Sequence, residues 1–90
     1  MSPPRKAPQR AAVHALTVRS SADVGRAVKQ FRLQQKLNQL DLAGLANTGN
    51  RFIVELEQGK PTLQLQKTLE ILGILGLELM VRKRGAGGAV

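Results

Sequence analysis

The 90-residue sequence contains no cysteine, tryptophan or tyrosine and only one histidine, His14. The absence of cysteine excludes disulfide bonds and thiolate metal sites, and it fits a reducing compartment. One histidine cannot supply the ligands of a zinc site, and His14 precedes every predicted helix, so we expect no Ser/His/Asp triad. The sequence also lacks an evident pair of catalytic groups. We therefore predict that the protein is not an enzyme and uses no cofactor.

Long hydrophobic runs are missing as well. The longest, from Ile71 to Val81, is interrupted by Glu78 and two glycines, and it is far shorter than the roughly 20 apolar residues that cross a bilayer. The first ten residues, MSPPRKAPQR, contain no apolar h-region, which argues against a secretory signal. We expect no association with a membrane.

Basic side chains, by contrast, are in excess. The chain has 14 Lys and Arg against 6 Asp and Glu, a formal net charge of +8. Residues 20–80 hold seven of the basic side chains and all six acidic ones, so that the excess lies at the two ends. Basic ends on a nearly neutral domain are typical of proteins that bind a polyanion by counterion release. The alternative is that they only keep a small apolar domain soluble. The basic residues at the ends are Arg5, Lys6, Arg10, Arg19, Arg82, Lys83 and Arg84.

Composition divides the chain into three parts. Residues 1–12 carry three of the four prolines and no apolar period, which predicts a disordered basic leader over 1–13. Residues 14–84 are predicted to form one domain, and the glycine-rich residues 85–90 a flexible tail. A core of this size is marginal, which favours help from a partner subunit.

Apolar residues at helical spacing predict two helices in the first half of the domain. The first runs from about 21 to 35, with Ser20 as N-cap and Asp23 completing a carboxylate variant of the capping box. The second is short, is capped by Asn38 and ends near Ala46. The side chains expected on their buried faces are Val24, Ala27, Val28, Phe31, Leu42, Ala43, Leu45 and Ala46.

Two further helices are predicted after the turn Asn47-Thr48-Gly49, where asparagine tolerates a left-handed backbone. The third covers roughly 50–57, and Gly59 is its predicted C-terminal cap. The fourth covers about 63–75, with Thr62 as its N-cap, and Gly73 suggests close packing in its middle. Its expected core stripe consists of Leu65, Leu69, Leu72 and Leu75, widened by Ile71 and Ile74.

After Gly76 the apolar period changes from 3.6 to 2, because Leu77, Leu79 and Val81 alternate with Glu78, Met80 and Arg82. This alternation predicts a β-strand. A strand needs a partner for its backbone groups, and the chain offers only a weak piece at 16–18. Pairing with the same strand of a second subunit about a two-fold axis is the economical solution. An edge strand within one chain is the alternative.

Two short helices joined by a tight turn are typical of a helix-turn-helix motif, whose second helix lies in the major groove of DNA. Its opening residues would then be polar because they face DNA, while Ile53 and Leu56 hold it on the core. Arg51 is the strongest candidate for reading a base, since arginine binds guanine through two hydrogen bonds. Gln39 is suited to a phosphate contact, and Glu55 is placed at the edge because it would repel phosphate.

The segments FRLQQKLNQLDLAGLA and RFIVELEQGKPTLQLQKTLEILGILGLEL resemble the Cro/C1-type (XRE) repressor domains, and within them the HipB-like antitoxins. The resemblance covers residues 20–83. It implies a mainly α domain of four to five helices with a C-terminal β-strand that pairs across a homodimer. The residues that carry it are Arg32, Gln39, Leu42, Ala43, Ile53, Glu57, Gly59, Lys60 and the final strand.

The resemblance also implies functional roles. The protein would be a cytoplasmic bacterial repressor that binds palindromic double-stranded operator DNA. Its implied protein partner is a HipA-like serine/threonine kinase toxin, and the complex would repress its own operon. Arg32 and Glu57 match a partly buried ion pair, and the dimer strand matches Leu77, Leu79 and Val81. The residues expected at the DNA are Gln39, Thr48, Gly49, Asn50, Arg51, Val54 and Lys60.

Two departures from the family leave alternatives open. The turn reads Asn-Thr-Gly where the family often has Gly-Val-Ser, and the tail GAGGAV lacks the aromatic anchor that some relatives use to bind the toxin. The chain could therefore be a stand-alone regulator without a toxin, or an interaction module that neutralises a kinase while DNA binding is secondary. RNA binding is disfavoured because two phenylalanines are the only aromatic residues available for base stacking.

Overall fold

Four helices make up the fold in a computed structural model that describes residues 15–84. They are α1 (Ser21–Gln34), α2 (Gln39–Leu45), α3 (Asn50–Glu57) and α4 (Leu65–Ile74). The prediction of a mainly helical domain with four to five helices is confirmed, with four helices among the described residues. None of the helices among these residues is long and apolar enough to cross a membrane. The predictions for the leader, for His14 and for the tail fall on residues outside the described range.

The predicted helix starts are produced by local capping. The Ser20 hydroxyl accepts a hydrogen bond from the Asp23 amide at 3.3 Å, while the Asp23 carboxylate accepts one from the Arg19 amide at 2.8 Å. Asn38 and Asp41 form a complete capping box, with bonds of 2.7 and 3.0 Å in the two directions. These bonds satisfy amide groups that have no partner inside the helix.

The core draws one fully buried side chain from each helix: Val28, Leu42, Ile53 and Ile71. The backbones of α1 and α3 lie close together at Gly25. A Cβ atom there would lie 2.8 Å from the Glu57 carbonyl oxygen and closer still to that of the preceding residue. Only glycine permits this approach, which brings the end of α3 against the middle of α1.

The fourth helix differs from its prediction in start and in orientation. Thr62 is not its cap, because Thr62 lies in a turn at 61–62. The N-cap of α4 is Gln64, which makes no side-chain capping bond. Its buried side chains are Thr68, Ile71, Leu72 and Leu75, whereas Leu65 is 65% exposed and Leu69 and Ile74 are also exposed. A Cβ atom at Gly73 would have no neighbour within 4 Å, so the expectation of close packing was wrong. Leu45 of α2, expected inside, is exposed too.

The segment after Gly76 has no regular secondary structure over residues 77–83 of the single chain, and neither has 15–19. The predicted β-strand is not formed within the single chain, and the alternative of an edge strand there is not supported among the described residues. No other described segment offers the backbone groups that a ladder requires. Leu77 packs against the core, while Leu79 is exposed and Val81 is 97% exposed. Pairing across a homodimer stays a prediction.

Candidate nucleic-acid interface

The turn between α2 and α3 sets the direction of the third helix. Asn47 has the predicted left-handed conformation, with φ of 54°, and the Thr48 amide donates to the Ala43 carbonyl oxygen at 3.0 Å. Lys67 of α4 donates from Nζ to the Asn47 carbonyl oxygen at 3.4 Å, an interaction that the sequence did not reveal. The turn is thus held by its own backbone and by the last helix.

The opening residues of α3, Gly49, Asn50 and Arg51, all face solvent. The Arg51 side chain is 88% exposed, whereas Ile53 and Leu56 are buried in the core. Gly49 is the N-cap and supplies no side-chain bond. Helix N-termini of this kind present free amides to an anion. One side of α3 therefore anchors the helix while its start is accessible.

Other residues predicted at the interface have mixed exposure. Lys60 lies exposed beyond the end of α3, and Thr48 and Val54 are half-buried. Gln39, at the start of α2, is also half-buried, and its amide nitrogen donates to Glu57 Oε1 at 3.1 Å. The contact of each of these residues with DNA stays a prediction.

Arg32 and Glu57 form an ion pair, as the family resemblance implied. Arg32 Nε lies 2.6 Å from Glu57 Oε2, and the side chains are 8% and 4% exposed. A second bond joins Arg32 Nη2 to Glu57 Oε1 at 3.0 Å, and Nη1 donates to the Leu37 carbonyl oxygen at 2.8 Å. The hydrogen bond to Glu57 raises the pKa of Arg32, although burial opposes it. Both charges are thus compensated inside the domain.

Sequence reasoning missed a second charged group, the Glu55 cluster, which consists of Glu55, Arg51 and Lys60. Glu55 Oε2 accepts from Arg51 Nε at 3.0 Å, and Oε1 accepts from Lys60 Nζ at 3.3 Å. These bonds, first that from Arg51 and then that from Lys60, lower the pKa of Glu55. The i,i+4 spacing of Arg51 and Glu55 was the signal that could have revealed the pair.

Comparisons with known proteins place this geometry in a family. No protein-family model matches the chain. The uncharacterized HTH-type transcriptional regulator y4mF of Sinorhizobium fredii is 44% identical over 68 residues, which cover 76% of this chain and 90% of that relative. Among solved structures, a HipB-O4 20mer complex matches with a TM-score of 0.71 and 21% identity, over 78% of this chain and 99% of the matched one.

A HipA-HipB-O2-O3 complex matches to the same degree, with a TM-score of 0.71, 21% identity and coverage of 78% and 99%. At this identity the two structures establish a shared fold, that of HipB. The sequence relative establishes the family. With its two short helices, its tight turn and its exposed α3 start, the chain belongs to the HTH-type transcriptional regulators, and it has the fold of HipB.

Proposed function

We propose that the protein is a transcriptional repressor that binds a palindromic operator as a homodimer. The observation that carries this proposal is the polarity of α3, whose opening residues are exposed while Ile53 and Leu56 are buried. Arg51 and Asn50 would choose the sequence, because arginine pairs with guanine and asparagine with adenine. Affinity would come from phosphate contacts of Gln39, Thr48, Gly49 and Lys60, with Val54 near a thymine methyl group.

The dimer is proposed to form through residues 77–81. Leu77, Leu79 and Val81 occupy alternate positions of this segment, and Leu79 and Val81 are exposed in the single chain. Antiparallel pairing with a second copy would satisfy its backbone groups and cover both side chains. Two α3 helices related by the two-fold axis would then enter successive major grooves about 34 Å apart.

We further propose that the repressor is a cytoplasmic antitoxin whose partner is a HipA-like serine/threonine kinase, and that the complex represses its own operon. One of the matched structures is a HipA-HipB-O2-O3 complex, which supports a partner of that kind. Contact with the kinase would use the helical body. The protein itself would act by binding, without catalysis.

A second candidate function is an interaction module in which DNA binding is secondary. The observation in its favour is an apolar patch on α2. Leu40 is 68% exposed and Leu45 is 61% exposed, and together with Leu37, Asp41 and Gly44 they line a shallow surface depression. A stand-alone repressor without a toxin would leave this patch unoccupied.

Selection from a library of randomised duplexes of about 20 base pairs, long enough for two half-sites one turn apart, tests the main proposal. We expect the wild-type chain to enrich a palindrome, here called the selected duplex. A shuffled duplex of the same composition should bind about a thousandfold more weakly. Failure to enrich any sequence would contradict the proposal. Size-exclusion chromatography with the product of the adjacent reading frame then tests the kinase partner.

A further inference from the structure

Arg51 is the strongest candidate for reading a base. Among the residues that the structure describes, Glu55 is the one acidic side chain that bonds to it. An isolated carboxylate at a DNA interface would repel phosphate, yet this one is bonded through both oxygens to cations. Its side chain is 22% exposed, whereas that of Arg51 is 88% exposed. The carboxylate is therefore the better-fixed member of the pair, and the arginine takes its direction from it.

From this geometry we propose that Glu55 is a positioning residue, which aims the guanidinium of Arg51 at a guanine and thereby sets the sequence choice of the interface. The inference rests on the proposed function and deepens it. Glu55 would not contact DNA itself.

The hydrogen-bond donors of arginine explain how Glu55 can orient the guanidinium of Arg51. A guanidinium has five N–H groups in a rigid plane. Glu55 Oε2 takes the one on Nε at 3.0 Å, which leaves the two terminal nitrogens, with two N–H groups each. Guanine offers O6 and N7 on one edge as a pair of acceptors. The terminal nitrogens of Arg51 can meet that pair end-on while Nε stays bonded to Glu55.

Preorganisation gives this interaction its value. A free arginine on an exposed helix start samples many rotamers, and it loses that freedom on binding a base. The bond to Glu55 at i,i+4 restricts the side chain before DNA arrives. Lys60 shares the same carboxylate at 3.3 Å, so the Glu55 cluster carries one net positive charge. The cluster as a whole therefore attracts the phosphate backbone, although it contains an acid.

The test compares Glu55→Ala, Glu55→Gln and Glu70→Ala with the wild type, on the selected and the shuffled duplex. Glu70 is an exposed acid of α4 whose side chain accepts from Gln66, and its removal changes the net charge equally. We expect Glu55→Ala to bind the selected duplex more weakly by about 5- to 150-fold for each half-site, the range that one bidentate hydrogen-bonded pair with a base supplies. Its affinity for the shuffled duplex should stay equal or rise.

Glu55→Gln keeps an acceptor oxygen and should recover part of the affinity for the selected duplex. Glu70→Ala should change the affinity for the selected and the shuffled duplex by the same factor. In an Arg51→Ala background, Glu55→Ala should cause no further decrease in selectivity. Circular dichroism and thermal unfolding confirm that each variant is folded. If Glu55→Ala is not folded, the affinities of Glu55→Gln and the wild type for the two duplexes are compared instead, and a lower selectivity of Glu55→Gln supports the inference.

Two outcomes would overturn the inference, and they differ from each other. If folded Glu55→Ala, like Glu70→Ala, binds both duplexes more tightly by one factor, Glu55 only repels phosphate and the proposed function still stands. A wild-type chain that selects no duplex at all would overturn the proposed function, and this inference with it.

Discussion

Arg32 and Glu57 meet at 2.6 Å in the interior of the domain and join α1 to the last residue of α3. The same carboxylate accepts from the Gln39 amide at the start of α2. Three helices are thus connected through one acidic group. The orientation of α3 relative to the other two depends on it, so a variant of Arg32 or Glu57 that no longer binds DNA would reflect a disturbed fold.

The first prediction concerns Glu57→Ala. Removing one partner leaves the Arg32 guanidinium buried without its counter-charge, and we expect the free energy of unfolding to fall by about 3–5 kcal/mol. Urea denaturation followed by circular dichroism measures this change. Glu70→Ala, at an exposed site, should change the same quantity by less than about 0.5 kcal/mol. Equal effects of the two substitutions would contradict a structural role for the ion pair.

The second prediction contrasts two glycines in helices. Gly25→Ala would place a Cβ atom 2.8 Å from the Glu57 carbonyl oxygen, so α1 and α3 must separate. We expect a marked fall in Tm. Gly73→Ala meets open space and should stabilise α4 by up to about 1 kcal/mol, since alanine is the better helix former. Thermal unfolding of both variants would refute the account if Gly25→Ala were the more stable one.

The third prediction is that Arg51→Ala keeps the fold and loses sequence-specific binding. The variant should bind the selected duplex more weakly by about 1–3 kcal/mol for each of the two half-sites, the value of one bidentate pair with a base. A fluorescence titration measures the affinity. Lys29→Ala removes the same charge from an exposed site on α1 and serves as control. Full affinity of Arg51→Ala for the selected duplex would show that α3 does not read bases through this residue.

The fourth prediction concerns the basic leader. Deleting residues 1–12 removes Arg5, Lys6 and Arg10, and it should weaken binding equally on the selected and the shuffled duplex. The slope of log affinity against log salt should flatten by up to about 0.9 for each phosphate that the leader neutralises. Deleting residues 85–90, which carry no charged side chain, is the control. An unchanged slope would mean that the leader does not touch DNA.

The fifth prediction is that Leu79→Lys converts the dimer into monomers, because a lysine in each copy would place two like charges in the shared strand pair. Light scattering measures the molar mass. Leu40→Lys, which alters an exposed leucine on α2, should leave the mass unchanged. Dimers that persist in Leu79→Lys would locate the subunit interface elsewhere.

The sequence by itself determined where α1, α2 and α3 begin, and it determined the polarity of α3. Ser20, Asn38 and Asn47 act through bonds and backbone angles that involve only near neighbours, so their effect can be predicted from spacing alone. Ile53 and Leu56 are three residues apart and follow a polar helix start, so helical spacing indicated the side of α3 that is buried. The exposed helix start that carries the candidate interface followed from that spacing.

Only the tertiary structure decided which side of α4 is buried. That helix has leucine or isoleucine on more than one face, so periodicity alone could not distinguish the face that packs, with Ile71 and Leu72, from the one that carries Leu65. The bonds from Gln39 to Glu57 and from Lys60 to Glu55 were also decided in three dimensions. Such interactions depend on where helices and turns meet in space, and sequence spacing does not contain that distance.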